Sequence, residues 1–374
     1  MREVYLDHAA STPVDPRVVD ALSPYFREQF GNPSSLHRKG IEAERGINVA
    51  RAEIARAVGV EPAQVFFTSG GTESNAIGIL GAPARGRAAV ASAIEHPSAL
   101  GSARMRAGDG LRVIDISPRG TVDVEAFAAA CDHEVAVATC MLVSNELGTV
   151  QPVREITERL RARGFRGHFH VDAVQALGKL PLSLPELGAD SIALSSHKLH
   201  GPKGVGALVV RSGVSLRPLW GGGKHEDGLR PGTENAPGIV GFGRAAALAT
   251  AALAEGAGAR MAALRDLLVA KVMAAVPGVR ESCPGAPRAP HIASLVFPNL
   301  EAEVLVHALE ARGVYASAGA ACASRDKTPS HVARALGLSV RDGMLRLSLA
   351  RISTEEDIEI AAACIPEAVK AARP

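Results

Sequence analysis

Aromatic side chains are scarce in this chain: nine Phe, three Tyr and one Trp make up 3% of 374 residues. That is too few for a surface on which nucleic-acid bases stack. Neither sign of charge dominates, since 41 Lys and Arg against 39 Asp and Glu leave a formal net charge of +2. Nothing in that balance attracts nucleic acid or an acidic membrane. No uncharged apolar run reaches the ~18–20 residues of a membrane span, and the stretch from Met1 to Asp7 lacks the apolar segment of a signal peptide. The five cysteines, Cys131, Cys140, Cys283, Cys322 and Cys364, are odd in number and form no C-x-x-C pair. No metal site is expected from their spacing, and a reduced cytoplasmic protein fits best. A G-x-G-x-x-G fingerprint is absent, which argues against a Rossmann dehydrogenase. Internal repeats and low-complexity tracts are absent too.

What is present is ordinary for a globular chain: 47% hydrophobic and 21% charged residues. Pro13 and Pro16 open a helical pattern expected to run to about Phe30, and Gly31-Asn32-Pro33 breaks it. A second helix is expected from about His37 to Val58, with Ile41, Val49, Ile54 and Val58 toward one face. Short apolar runs then alternate with helical stretches, at Val65–Phe67, Ala88–Ala91, Leu111–Ile114, Val135–Met141, His168–Val171, Ser191–Leu194 and Val205–Val210. This alternation predicts a mainly parallel seven-stranded sheet with helices on both faces, an α/β class. After Gly221-Gly222-Gly223 comes one long alanine-rich helix, about Glu234 to Val276, with a break near Gly256 and Gly258. The remainder predicts a smaller α+β domain. The expected division is a large domain over 14–255 and a small one over 256–374 joined by the N-terminal arm 1–13.

Several groups carry chemistry. Lys198, in Ser195-Ser196-His197-Lys198, follows Asp172 by 26 residues, which leaves room for one strand and turn between neighbouring sheet ends. A lysine amine that forms a Schiff base and a carboxylate that keeps a pyridine nitrogen protonated are what a pyridoxal phosphate (PLP) site requires. Thr68-Ser69-Gly70-Gly71-Thr72-Glu73 follows a predicted strand and opens a predicted helix, a cradle for phosphate. His96, after another strand, is placed to stack on a ring and exchange protons. Asn145 stands at a strand end, where an amide reaches substrate or cofactor. Arg346 interrupts the apolar Met344-Leu345-Arg346-Leu347, where a guanidinium needs a carboxylate or an internal partner. Cys322 lies among small and charged residues near Arg325, Lys327 and His331, cations that would raise its thiolate fraction.

Together these residues resemble the NifS/IscS-type cysteine desulfurases, class V aminotransferase-like enzymes of PLP fold type I. The likeness runs from Tyr5-Leu6-Asp7 to about Thr354-Glu355-Glu356 and includes Thr12-Pro13-Val14-Asp15-Pro16, Gly31-Asn32-Pro33-Ser34-Ser35, Thr68–Glu73, Glu95-His96, Asn145-Glu146-Leu147-Gly148, His170-Val171-Asp172, Ser196-His197-Lys198 and Arg230-Pro231-Gly232-Thr233-Glu234-Asn235. The resemblance implies that Lys198 holds PLP, Asp172 meets the pyridine nitrogen, Gln175 the ring hydroxyl, and His96 stacks on the ring. It assigns the phosphate to Gly71, Thr72, Ser195 and His197, with Thr233 supplied by the second subunit of a homodimer. Asn32, Asn145 and Arg346 would hold the carboxylate of L-cysteine. Cys322 would take the substrate's sulfur as a persulfide, leaving alanine, and pass it to an acceptor protein, typically for iron–sulfur cluster assembly. A selenocysteine lyase, another class V aminotransferase-like enzyme and a non-catalytic sulfur-relay protein are the alternatives. Two departures stand out: Ala318, Ala320 and Ala323 where the family's cysteine loop is richer in Ser and Thr, and Pro231 beside the phosphate-binding threonine. Housekeeping relatives extend beyond the last predicted helix and dock a scaffold protein with that tail, so that scaffold is not assigned as a partner.

Overall fold

The computed structural model describes residues 2–83, 85–319, 330–339 and 341–373. It opens with a short strand, β1 (Val4–Tyr5), and helices α1 (Pro16–Leu22) and α2 (Arg38–Val58). α1 is shorter than its pattern suggests. The chain tightens into a 3-10 turn over Ser23–Phe26, because Pro24 has no N–H with which to continue the helix. α2 is capped at both ends. The His37 side chain accepts from the Gly40 N–H, and Gly59 leaves at φ 70°, a left-handed stop that glycine adopts without strain.

Seven strands follow: β2 (Val65–Thr68), β3 (Ala88–Ser92), β4 (Leu111–Ile114), β5 (Val135–Thr139), β6 (His168–Asp172), β7 (Ser191–Ser195) and β8 (Gly206–Val210). They form one sheet in the order β2-β8-β7-β6-β5-β3-β4. Only β8 runs against its neighbours. β3, β5, β6, β7 and β8 are buried at every residue. Both faces are covered, so these runs are apolar throughout rather than alternating. α3 (Gly71–Leu80) and α4 (Pro97–Ala107) lie on one face. α2, α5 (Val124–Ala130), α6 (Val153–Ala162), α7 (Leu184–Leu187) and α8 (Ala236–Ala254) contribute to the core on the other. Strand β3 shows the alternation: Val90 packs into that larger core, whereas Ala89 and Ala91 meet Ala99 and Ala103 of α4.

The long alanine-rich stretch is two helices, α8 and α9 (Ala257–Ala275), separated at Gly256 with φ 88°. Their apolar faces belong to different cores. Ile239, Phe242 and Ala246 of α8 join the large-sheet core, while Leu268 and Val272 of α9 join a second one. α8 is long and apolar enough to cross a membrane by composition, yet it serves as a core helix against α2. The second core packs α9, α10 (Ala302–Glu310) and α12 (Glu355–Ala372) on an antiparallel sheet of β9 (Arg280–Glu281), β10 (Ile292–Phe297) and β12 (Gly343–Ser348), in the order β12-β10-β9. α11 (His331–Ala335) precedes β12. β1 pairs in parallel with β11 (Val314–Tyr315), which brings Val4 and Leu6 of the N-terminal arm into this core.

α2 and α8 touch backbone to backbone. A Cβ on Gly243 would sit 2.5 Å from Ala50 Cα. Gly243→Ala is therefore expected to force the helices apart and lower stability by about 1–3 kcal/mol. Denaturant midpoints measure this; an unshifted midpoint would show that the contact is not tight.

Candidate active site

Because β8 opposes both neighbours, β2 points the same way as β7, β6, β5 and β3. Their carboxyl ends, Thr68, Ser195, Asp172, Thr139 and Ser92, share one edge of the sheet, the edge at which open α/β sheets bind ligands. The turn after each strand delivers a candidate residue.

Asp172 ends β6 and is only 5% exposed. Its carboxylate accepts from Asn75 Nδ2 at 2.7 Å and from the Val174 N–H at 3.0 Å. Lys198 closes a single 3-10 turn directly after β7. Its Nζ donates to the carbonyls of Ala9 at 2.8 Å and Ala10 at 2.7 Å. The N-terminal arm is stitched to the same turn: the Thr12 hydroxyl donates to the His197 carbonyl and accepts from the His200 N–H. His197 Nδ1 lies 3.3 Å from Ser11 Oγ. Burial, with Lys198 and Lys203 nearby, lowers His197 to about 4, so it is neutral at physiological pH.

α3 begins at Gly71 beside Ser195 and Val174; a Cβ on Gly71 would lie 2.7 Å from Val174 Cγ2. No side chain caps this helix, so its first N–H groups remain available to an anion. Thr72 is exposed there. Glu73 accepts from Arg230 Nε at 2.9 Å, which ties the helix start to the loop that carries Thr233. His96 is the N-cap of α4, and its Nδ1 receives the Ser98 N–H at 3.2 Å. Burial lowers its pKa, against the pull of nearby Asp172. Glu95 is wholly buried beside it, accepting from Ser92 Oγ at 2.5 Å and the Met141 N–H at 2.7 Å. Burial pushes that carboxyl up to about 7.

Gln175 is buried, with Nε2 donating to the Ala9 carbonyl at 2.9 Å and Oε1 facing His291 Nε2 at 3.1 Å. Arg346 reaches in from β12 and is 2% exposed. It donates to the Asn145 carbonyl at 2.8 Å and to Asp7 Oδ1 at 2.7 Å, while its Nε has no hydrogen-bond partner among the described residues. Asn145 itself is half-buried. The exposed Asn32 caps its own turn by accepting from the Ser34 N–H, and Thr233 is exposed; neither is hydrogen-bonded to this cluster among the described residues. Cys322, Arg325 and Lys327 lie outside the described residues. The chain on either side of them meets the site: Ser317 pairs with Arg346, Ser330 Oγ donates to Glu146 Oε2 at 2.6 Å, and His331 Nε2 bonds the Glu95 carbonyl at 2.8 Å.

The donor set fits a phosphorylated pyridine aldehyde. An uncapped glycine-opened helix start suits the phosphate, a buried carboxylate the ring nitrogen, and an amine after the neighbouring strand the aldehyde. Sequence reasoning missed the arm carbonyls of Ala9 and Ala10, as well as Asn75 and Lys179. A backbone carbonyl has no signature in sequence, and Lys179 reads as an ordinary surface lysine.

The family model described as "Aminotransferase class-V" matches residues 4–360. A cysteine desulfurase of Trichormus azollae is 39% identical over 380 residues, covering all of this chain and 94% of that protein. Cysteine desulfurase IscS of Methanosarcina thermophila is 38% identical, covering all of this chain and 93% of its own length. Among solved structures, a NifS-like protein superposes with a TM-score of 0.90 at 36% identity, covering 99% of this chain and 100% of that one. SspA in complex with cysteine does so with a TM-score of 0.81 at 30% identity, covering 94% and 100%.

Lys179 is buried behind Lys198, its Nζ bonded to the Lys198 carbonyl, with no carboxylate in salt-bridge reach among the described residues. Burial, reinforced by Lys198 and Arg351, lowers its pKa from 10.5 to about 7. Between those values the unfolded chain holds a proton that the folded chain lacks, so this group adds stability as pH rises from about 7 toward 10.5 and costs stability below 7. Lys179→Met removes the dependence. Its stability relative to the parent is expected to be highest at pH 6 and to decline toward pH 10. Denaturation midpoints across that range decide; a constant difference would mean that the amine is not held neutral.

Proposed function

The chain belongs to the aminotransferase class-V family, and we propose that it is a PLP-dependent cysteine desulfurase that converts L-cysteine to L-alanine and carries the sulfur on Cys322. One observation carries this reading. Lys198, Asp172, His96 and the open start of α3 converge on one sheet edge, in a chain that aligns end to end with proteins named cysteine desulfurase. When bound, PLP supplies an electron sink for charge that develops on the substrate's carbon.

The chain's own residues supply the rest. Lys198 presents its amine to the cofactor, and two arm carbonyls hold that amine in place. Asp172 faces the ring nitrogen, its carboxylate held by two N–H donors. Gly71, Thr72, Ser195 and His197 bind the phosphate, and Gln175 the ring hydroxyl. His96 covers the ring. Arg346, assisted by Asn145 and Asn32, takes the substrate carboxylate. Cys322 then forms an S–S bond to the substrate's sulfur as the carbon–sulfur bond breaks. The electron pair stays with the carbon fragment, which takes up a proton and leaves as alanine.

The active unit is a homodimer in which Thr233 of the partner subunit completes the phosphate site. Exposed apolar residues support this: Phe26, Phe30 and Leu36 lie near α1 and α2, and Trp220 precedes the glycine-rich loop. The persulfide passes to an acceptor protein, as for iron–sulfur cluster assembly. Cys131, Cys140, Cys283 and Cys364 are free thiols, which suits the reducing cytoplasm.

Mass spectrometry of the Cys322 peptide after exposure to L-cysteine is expected to find one added sulfur atom. Lys198→Ala should lose the visible absorbance of bound PLP, and Cys322→Ala should lose sulfur transfer. Desulfuration at the parental rate by Cys322→Ala would sink the persulfide step and favour a lyase on the same scaffold.

A further inference from the structure

Four polar residues lie beneath the site, Asn75 on α3, His168 and His170 on β6, and Ser191 on β7, and of these only the bond from Asn75 to Asp172 enters the reading above. All four are buried. They form one connected chain. His168 Nε2 lies 2.8 Å from Ser191 Oγ, Ser191 Oγ 2.8 Å from His170 Nδ1, and His170 Nε2 2.9 Å from Asn75 Oδ1. Asn75 Nδ2 then donates twice, to Asp172 Oδ2 at 2.7 Å and to Ser98 Oγ at 2.9 Å. Ser98 Oγ lies 2.7 Å from His96 Nδ1. Gly78 makes the arrangement possible, since a Cβ there would fall 2.4 Å from His170 Nδ1.

The donors and acceptors have one consistent assignment. A carboxylate only accepts, so the amide nitrogen of Asn75 faces Asp172 and its oxygen faces His170. His170 must therefore carry its proton on Nε2. Burial keeps both histidines neutral, lowering His170 to about 3 and His168 to about 4. His170 Nδ1 is then an acceptor and takes the Ser191 hydroxyl proton, and Ser191 Oγ accepts from His168 Nε2. On the other branch His96 Nδ1 accepts the Ser98 N–H and so carries no proton, and the Ser98 hydroxyl, which accepts from Asn75, donates to it. Every donor points toward the cofactor side.

We propose that Asn75, oriented by the Ser191–His170 pair, is a positioning residue that fixes both groups flanking the cofactor ring. Through one N–H it holds the Asp172 carboxylate, and through Ser98 it holds His96 with its proton on Nε2. His96 consequently enters the reaction able to give a proton from Nε2 rather than take one there. This rests on the reading that Asp172 and His96 flank the PLP ring.

The test uses the PLP-loaded enzyme. His170→Phe keeps the ring's bulk and removes the donor to Asn75; it is expected to shift the visible band of the bound cofactor and lower kcat on the order of tenfold with little change in KM. His170→Gln, which can again donate to Asn75, should recover most of both. Ser191→Ala, a smaller change that leaves both histidines in place, should show the same band shift in part. Nitrogen-15 histidine spectra, with His96 assigned by His96→Gln, should find Nε2 protonated in the parent and mixed tautomers in Asn75→Ala. A parental band and kcat in both His170→Phe and Ser191→Ala, beside an altered band in Asp172→Asn, overturns the network alone. A parental band in Asp172→Asn overturns the placement of Asp172 and the proposal with it.

Discussion

A carboxylate buried at the carboxyl end of β6 is the constraint around which this molecule is organised. Taking Asp172 out of water costs several kcal/mol unless donors replace the lost hydration. The backbone turn at Val174 and the amide of Asn75 are those donors. They commit α3 to lie over β6 and β7, and glycines at 71 and 78 let it approach. Once α3 is there, its uncapped start stands beside Ser195. The negative and positive poles needed by a phosphorylated, protonated ring thus come from a single packing decision.

The second dependency joins the two cores. The N-terminal arm begins in the smaller core through Val4 and Leu6, then runs to the large sheet edge, where Ala9 and Ala10 receive the Lys198 amine. Arg346 leaves the smaller sheet in the opposite sense and meets Asp7 and Asn145. A guanidinium that buried is stable only because both ends of this seam are present. The site is therefore a property of neither core alone. The arm, β12 and the turn after β5 meet around Arg346, while Asp172 and Lys198 come from the sheet edge.

Much of the large domain was legible in the residues. Strands buried on both faces read as unbroken apolar runs, and seven of them appear where the runs stand. Helix breaks were harder. The pattern from Pro13 to Phe30 looks continuous in composition, but the missing N–H of Pro24 ends α1 early. Gly256 as the division between α8 and α9 was visible as a possible break, because glycine alone enters the left-handed region freely. Lys198, Asp172 and His96 were singled out from residue type and position after strands, and strand order puts those strand ends on one edge. Asn75 was not, although it follows the phosphate cradle by one helical turn, since a buried Asn on a helix has no distinguishing neighbourhood in sequence. Asn32 and Thr233, carried by resemblance, make no hydrogen bond to the cluster among the described residues of one chain.

The sequence by itself determined the alternation of strands and helices, the residues able to do the chemistry, and the family to which they belong. These are local matters of period, turn residues and functional groups. Only the tertiary structure decided which of the polar residues meet. Strand order sets which carboxyl ends are neighbours, and the direction of β8 keeps β2 aligned with β7. Hydrogen-bond directions across β6, β7 and α3 are fixed by contacts between residues up to 97 positions apart, and no local pattern encodes a partner at that distance.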